Sequence, residues 1–291
     1  AGVVLDESAI LAHIEAKTRK LILESFQDVP YRLSCTATPC PNDIAELAGQ
    51  AEFLGVMTRN EMLSTFFVHD DEGWRLRGHA KQPFFRWLAS WAQAINTPDD
   101  IGFDGSAYVL PPLEIREHVI ETDWRRPGEL FAGVLKGISD RADVRRQSVT
   151  DRVAKVAELA NGTDEQVLIW TGLNDEGTAC VKAIPDAVEV HGTQPLDTKI
   201  ERLMGFIDGK YRVLVTKGKI AGHGLNLQHA HRMIFMGLND SWALFHQSIG
   251  REWRYGQTSP VTVDIVVTDH EVGIVENVKQ KAREAAGLVQ G

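Results

Sequence analysis

The chain has 291 residues, enough for two domains of ordinary size. Its 43% hydrophobic and 24% charged residues give a soluble globular balance, and no apolar run approaches the roughly 20 residues that cross a bilayer. A net charge of −9 argues against tight binding of nucleic acid by bulk electrostatics, but leaves room for a local basic groove.

The start, Ala1 to Asp6, lacks the basic front and cleavage pattern of a secretory signal. Cys35, Cys40 and Cys180 are an odd set without zinc-ligand spacing, so a reduced, cytoplasmic setting is the simpler reading. In chain order, the apolar run Gly2-Val3-Val4-Leu5 predicts a short strand buried in a sheet. A helix is expected from about Ile10 to Phe26, with Ile10, Leu11, Ile14, Leu21, Ile22 and Phe26 on one face. Tyr31 to Thr36 reads as a second strand. The stretch from Ile44 to Pro112 is rich in aromatics, among them Phe53, Phe66, Phe67, Trp74, Phe84, Phe85, Trp87 and Trp91. It predicts helices and loops in a compact insertion whose aromatics form a core rather than stack on bases. Turn signals at Pro98-Asp99-Asp100, Asp104-Gly105 and Pro111-Pro112 mark a linker. Beyond it, strands are expected at Val167–Trp170, Ala187–His191, Arg212–Thr216, Arg232–Met236 and Val261–Val267. Helical patterns lie between most of them, which implies a mainly parallel sheet covered on both faces.

Three features carry chemistry. Asp6-Glu7 lies just past a strand, where open α/β sheets bind ligands. One such carboxylate can hold Mg²⁺ through water while its neighbour orients the attacking water. An acidic pair there can equally start a helix, with Asp6 or Ser8 as its cap. Thr36-Ala37-Thr38-Pro39 follows the second strand, and its hydroxyls can bond a carboxylate or simply end a turn. The third feature is sharper. Gly222 to Gln228 follows the Val215-Thr216 strand end, and Gln247 to Gln257 follows a helical pattern. Arg251 and Arg254 are three apart and would share a helix face, where two guanidiniums can meet triphosphate oxygens. Gly250 and Gly256 allow close backbone approach. A solvated basic helix end is the plainer alternative. His223, His229 and His231 cluster here without partners at metal-ligand spacing. The run Arg141 to Arg146 reads as a solvated helix face, and Trp242 and Phe245 as packing residues.

This ordered set resembles the superfamily 2 ATPases, specifically the Swi/Snf-like branch with its phage and prophage helicase relatives. Val4-Leu5-Asp6-Glu7-Ser8 resembles the DExx box, implying water-mediated Mg²⁺ coordination for Asp6 and water activation for Glu7. Thr36-Ala37-Thr38 resembles the third motif, which couples nucleotide state to nucleic-acid grip. Val167 to Trp170, with Asn174 and Glu176, resembles the opening of the second lobe. Gly224-Leu225-Asn226-Leu227-Gln228 resembles the fifth motif, which touches the nucleic-acid backbone and faces the nucleotide. Gln247, Gly250, Arg251, Arg254, Gly256 and Gln257 match the sixth, implying that Arg251 and Arg254 act as fingers on the triphosphate.

The resemblance implies two RecA-like parallel-sheet lobes, the first short at its N-terminus. The expected division is residues 1–43 (first lobe), 44–120 (helical insertion and linker), 121–272 (second lobe) and 273–291 (C-terminal helix). It implies ATP and Mg²⁺ as cofactors and a nucleic-acid backbone, best double-stranded DNA, as partner. One departure stands out: no G-x-x-x-x-G-K-[ST] loop occurs in the sequence. The expectation is that this loop precedes Ala1 in a longer protein and that the chain alone does not hydrolyse ATP efficiently. The rivals are a non-catalytic nucleic-acid-binding or adaptor protein that keeps the fold, and a small-molecule α/β enzyme with a pocket inside one domain.

Overall fold

The computed structural model describes residues 1–13, 16–71, 73–122, 138–221 and 225–290. Two compact units emerge, Ala1–Asn96 with Gln280–Gly291, and Thr97–Lys279.

In the first unit, β1 (Gly2–Leu5) leads through a 3-10 turn at Ser8–Ala12 to α1 (Lys17–Phe26), and β2 (Tyr31–Ser34) follows. The two strands pair in parallel, Leu5 opposite Ser34. The single long helix read from Ile10 is therefore two elements, and Ile14 lies outside the described residues. The buried-strand expectation is also corrected. Val4 and Leu33 are 64% and 54% exposed, because a sheet of two strands offers neither a second neighbour nor a covered face. Leu21, expected on a core-facing stripe, is 63% exposed for the same lack of a surface to cover it.

Next come α2 (Leu47–Leu54), α3 (Arg59–Phe66), a hairpin of β3 (Phe67–Asp70) and β4 (Gly73–Leu76), and α4 (Lys81–Leu88). Thr58 starts α3 with a reciprocal cap, its hydroxyl facing the Glu61 N–H while the Glu61 carboxylate takes the Thr58 N–H. The aromatic stretch is core, as its spacing suggested. Phe66, Phe67 and Phe84 are buried with Met62 and Leu63, and Trp74, Phe85 and Trp87 pack against them. The hairpin was not expected among helices.

The second unit is a six-stranded, wholly parallel sheet. Its elements are β5 (Leu113–Ile120), α5 (Ile138–Gln147), α6 (Val149–Asn161), β6 (Val167–Thr171), α7 (Asn174–Ala183), β7 (Ala187–Glu189) and α8 (Leu196–Ile207). Then follow β8 (Val213–Thr216), α9 (Gly218–Ala221), β9 (Arg232–Met236), α10 (Trp242–Ile249), β10 (Val261–Thr268) and α11 (Val272–Gln290), the last of which runs on into the residues grouped with the first unit. The strand order is β5-β10-β9-β6-β8-β7. The sheet thus takes in Leu113–Ile120, which the sequence reading leaves in the linker.

Successive side chains of the central strands alternate between two cores. Leu168, Trp170, Leu214, Met233, Phe235, Val263 and Ile265 join α8, α10 and α11 through Phe206, Ile249 and Val275. Val167, Ile169, Val213, Val215, Ile234 and Val266 join α6 and α7 through Val156, Cys180 and Ile184. Burial on both faces is why these strands read as continuous apolar runs. All three cysteines are free thiols, and burial pushes the Cys180 thiol up to about 12, an inert group.

Candidate functional site

The acidic loop is held from beneath. Leu5 accepts the Cys35 N–H at 2.9 Å, and the Cys35 carbonyl accepts both the N–H and the hydroxyl of Ser8 at 3.0 Å each. Ser8 is fully buried. Gln50 on α2 adds a bond from its amide to the Ser8 carbonyl at 2.8 Å and takes the Ser34 hydroxyl on its oxygen. Gly49 makes this possible, since a Cβ there would collide with the Leu11 carbonyl. Asp6 and Glu7 stay exposed above this frame. Glu7 is left-handed, φ 50°, and its N–H donates to Asp6 Oδ1 at 2.9 Å. Parallel pairing sets Thr36 at the neighbouring strand end, where its hydroxyl accepts the Thr38 N–H at 3.0 Å. Thr38 is buried and its hydroxyl has no partner among the described residues.

In the second unit, the fifth and sixth motifs form one knot. Gly224, with Gly222 and His223, lies outside the described residues. From Leu225 onward the geometry is defined. The Leu227 N–H donates to the Arg251 carbonyl at 2.9 Å. Arg251 Nη1 donates to the Leu225 carbonyl at 3.1 Å and its Nε to the Gln247 carbonyl at 3.2 Å. Asn226 is exposed and its Oδ1 caps the Gln228 N–H at 3.3 Å. Gln257 closes the knot. Its amide nitrogen reaches the carbonyls of Gln228, Ala230 and Glu252 at 3.0, 2.9 and 3.2 Å, and its oxygen accepts from the N–H groups of Thr258 and Ser259. Gly256 has φ 93°, and a Cβ there would stand 3.0 Å from the Gln228 amide. Gly250 needs no such freedom, since it ends α10 at φ −62°.

The shared helix face expected for the two arginines is corrected. The helix stops at Ile249, and Arg251 and Arg254 lie in the turns beyond it. They are consequently unlike. Arg251 is half-buried and joined to backbone carbonyls of two segments. Arg254 is exposed, and among the described residues its guanidinium makes no hydrogen bond or ion pair. Between them Glu252 is fully buried, and neither carboxyl oxygen has a partner among the described residues. Burial raises its pKa well above the ordinary carboxylate range. The remaining histidines face different neighbours. His229 packs edge-on against Phe206, with burial lowering its pKa, and His231 pairs with Glu165 at 3.1 Å.

The carboxyl ends of the strands form a second locus. Between β6 and β9 the following helices depart to opposite faces, α7 to one and α10 to the other, and ligands of open α/β sheets enter at such a point. A small open cleft lies there, lined by Arg145, Trp170, Gly172, Gly237, Asn239 and Ser248 among others. The buried indole N–H of Trp170 has no partner among the described residues. Below it runs an ionic network that the sequence reading missed. Arg152 and Glu176, both fully buried, pair at 2.7 Å. Glu176 also takes the N–H groups of Gly172 and Leu173. Arg145, read as part of a solvated face, instead pairs with buried Glu271 at 2.6 Å and donates to the Leu238 carbonyl. Its partners lie far away in sequence, so no local pattern could show them; only the Glu three places into α7 is a visible capping signal.

Fold and loops together define a parallel α/β lobe. Residues 151–256 match the family described as helicase conserved C-terminal domain. Two solved structures are similar to the chain. The crystal structure of the C-terminal part of the Fun30 ATPase domain is 17% identical, with 48% of this chain and 52% of that chain covered at a TM-score of 0.39. The structure of the C-terminal domain of the DEAD-box protein Dbp5 is also 17% identical, with 45% and 78% covered at a TM-score of 0.39. The chain thus spans about half the length of the Fun30 structure it matches. Comparison with curated proteins finds no match. No helix among the described residues is long and apolar enough to cross a membrane.

Proposed function

We infer that the chain is part of an ATP-driven nucleic-acid motor, a translocase or helicase acting on double-stranded DNA as in the Swi/Snf-like branch. The observation that carries this reading is Arg254, an exposed guanidinium with no counter-charge among the described residues, set by a braced turn within the stretch that matches the helicase C-terminal family. Such a cation fits triphosphate oxygens, and an exposed carboxylate at the end of a parallel strand, Asp6, fits Mg²⁺ held through water. Bound ATP and Mg²⁺ would supply the phosphoryl chemistry. In this reading Arg254 is the finger and Arg251 a positioning residue, since its guanidinium already ties the Leu225 and Gln247 carbonyls. Glu7 would orient water, and Thr36 and Thr38 would pass the state of the acidic loop onward. Gln247, Gly250 and Asn226 would shape the nucleotide side of the knot, and Gln228 would couple it to nucleic acid. The strand-end cleft with Gly172 and Asn239 would lie under the DNA backbone. A phosphate-cradling loop of the G-x-x-x-x-G-K-[ST] kind is not among these residues, so hydrolysis requires that loop from elsewhere, and the chain alone would bind without turning over.

The test uses the complete open reading frame that encodes the chain. DNA-stimulated ATP hydrolysis is expected, and Arg254→Ala should cut kcat by roughly 10³-fold, as for other arginine fingers, with any loss of ATP affinity far smaller than that. Unchanged turnover removes the finger assignment. A loss of ATP affinity with kcat preserved would make Arg254 a binding group only.

A further inference from the structure

Two exposed tyrosines lie against each other beside Arg254. Tyr255 follows it directly, and Tyr108 comes from the segment just before β5. Their rings are stacked, with centroids 4.7 Å apart and 27° between planes. A pair serving only to fill a core would be closed off, yet Tyr108 and Tyr255 are 48% and 59% exposed. Nor is the stack the sole anchor of its segment, because the Trp253 indole donates to the Pro111 carbonyl at 2.8 Å. The turn carrying Arg254 and Tyr255 is fixed by the Gln257 N–H, which donates to the Arg254 carbonyl at 2.9 Å, and by Gly256 at φ 93°. An exposed cation that pairs with no described residue is therefore followed directly in the chain by an exposed aromatic stack. Together they complement an anionic chain attached to a planar ring.

We propose that Tyr108 and Tyr255 form a stacking platform for the base of a nucleoside triphosphate whose phosphate oxygens meet Arg254. The proposal rests on the phosphate reading of Arg254. Every base has a π-face, so the platform selects for an aromatic base and discriminates little among bases. Stacking holds the base, while Arg254 contributes equally to any ligand bearing the same phosphates.

Binding to the 291-residue chain is measured by titration with ATP, inorganic tripolyphosphate and single-stranded oligodeoxyadenylate, with saturation-transfer NMR on the adenine ring protons. Tyr255→Ala, at an exposed position, should weaken ATP about ten-fold, in the range of one lost base–aromatic stack, and leave tripolyphosphate unchanged. Tyr255→Phe should behave as wild type, and Tyr108→Ala should fall between the two. Arg254→Ala should weaken ATP and tripolyphosphate alike. If Tyr255→Ala acts on ATP while Arg254→Ala acts on neither ligand, the phosphate reading fails and the platform stands. Equal ATP affinity in wild type and Tyr255→Ala overturns the platform. So does failure of ATP to saturate wild type at millimolar concentration, or a loss confined to the oligonucleotide.

Discussion

Gln257 offers the sharpest test of how the two loops of the second unit are joined. The residue is 8% exposed, and its side chain engages three carbonyls and two N–H groups from five other residues. The amide nitrogen has only two hydrogens for its three acceptors, so about four full bonds are at stake. At about 0.5–1.5 kcal/mol net for each, with buried groups left unpaired, Gln257→Ala should cost about 3 kcal/mol. Gln257→Glu separates hydrogen bonding from mere bulk. It keeps the acceptor oxygen facing Thr258 and Ser259 but turns a second oxygen toward three carbonyls, so it should be no better than Ala at neutral pH and should recover when protonated. Urea unfolding of the chain, followed by tryptophan fluorescence and circular dichroism, reads both. A loss below about 1 kcal/mol for Ala, or a Glu variant as stable as wild type, would refute the reasoning.

Two further substitutions probe buried charge. Glu252→Gln removes a carboxyl that binds its proton more tightly folded than unfolded, because burial raises its pKa. The native state therefore loses stability as pH rises above the unfolded carboxylate value. The advantage of the Gln variant should grow by about 1.4 kcal/mol per pH unit from about pH 5 until the folded value is passed, and a difference flat with pH in paired urea titrations would contradict this. Arg152→Met strands the fully buried Glu176 carboxylate. It should destabilise the chain by about 3–5 kcal/mol, and Arg152→Met combined with Glu176→Leu should recover most of that loss. A double variant no better than the single would show that the pair's charges are not what the site depends on.

Much of the second unit was legible because its strands are buried on both faces. Val167-Leu168-Ile169-Trp170 and Val213-Leu214-Val215 are unbroken apolar runs, and such runs between turn signals have few other uses. β5 was not legible for the opposite reason. Leu113–Ile120 carries Glu114, Arg116, Glu117 and His118, and it belongs to the sheet only through its pairing with β10 at the edge. The hairpin of β3 and β4 is hidden among aromatics that suit a helix face equally well. At the candidate site, residue types and spacing pointed to the loops, but not to the different surroundings of Arg251 and Arg254. That difference follows from the helix ending at Ile249 and from backbone bonds to Leu227, a contact between segments remote in sequence. Glu252 was passed over, because a Glu between two arginines reads as solvated until its burial is seen.

The edge pairing of β5 with β10 has a mechanical meaning. These are the first and last strands of their sheet, parallel and in register from Leu113 opposite Val261 to Ile120 opposite Thr268. Tension applied ahead of Leu113 and behind Thr268 draws them past each other in shear. The whole ladder then bears the load at once instead of opening one rung at a time, so this lobe can be tugged by its two ends without unravelling.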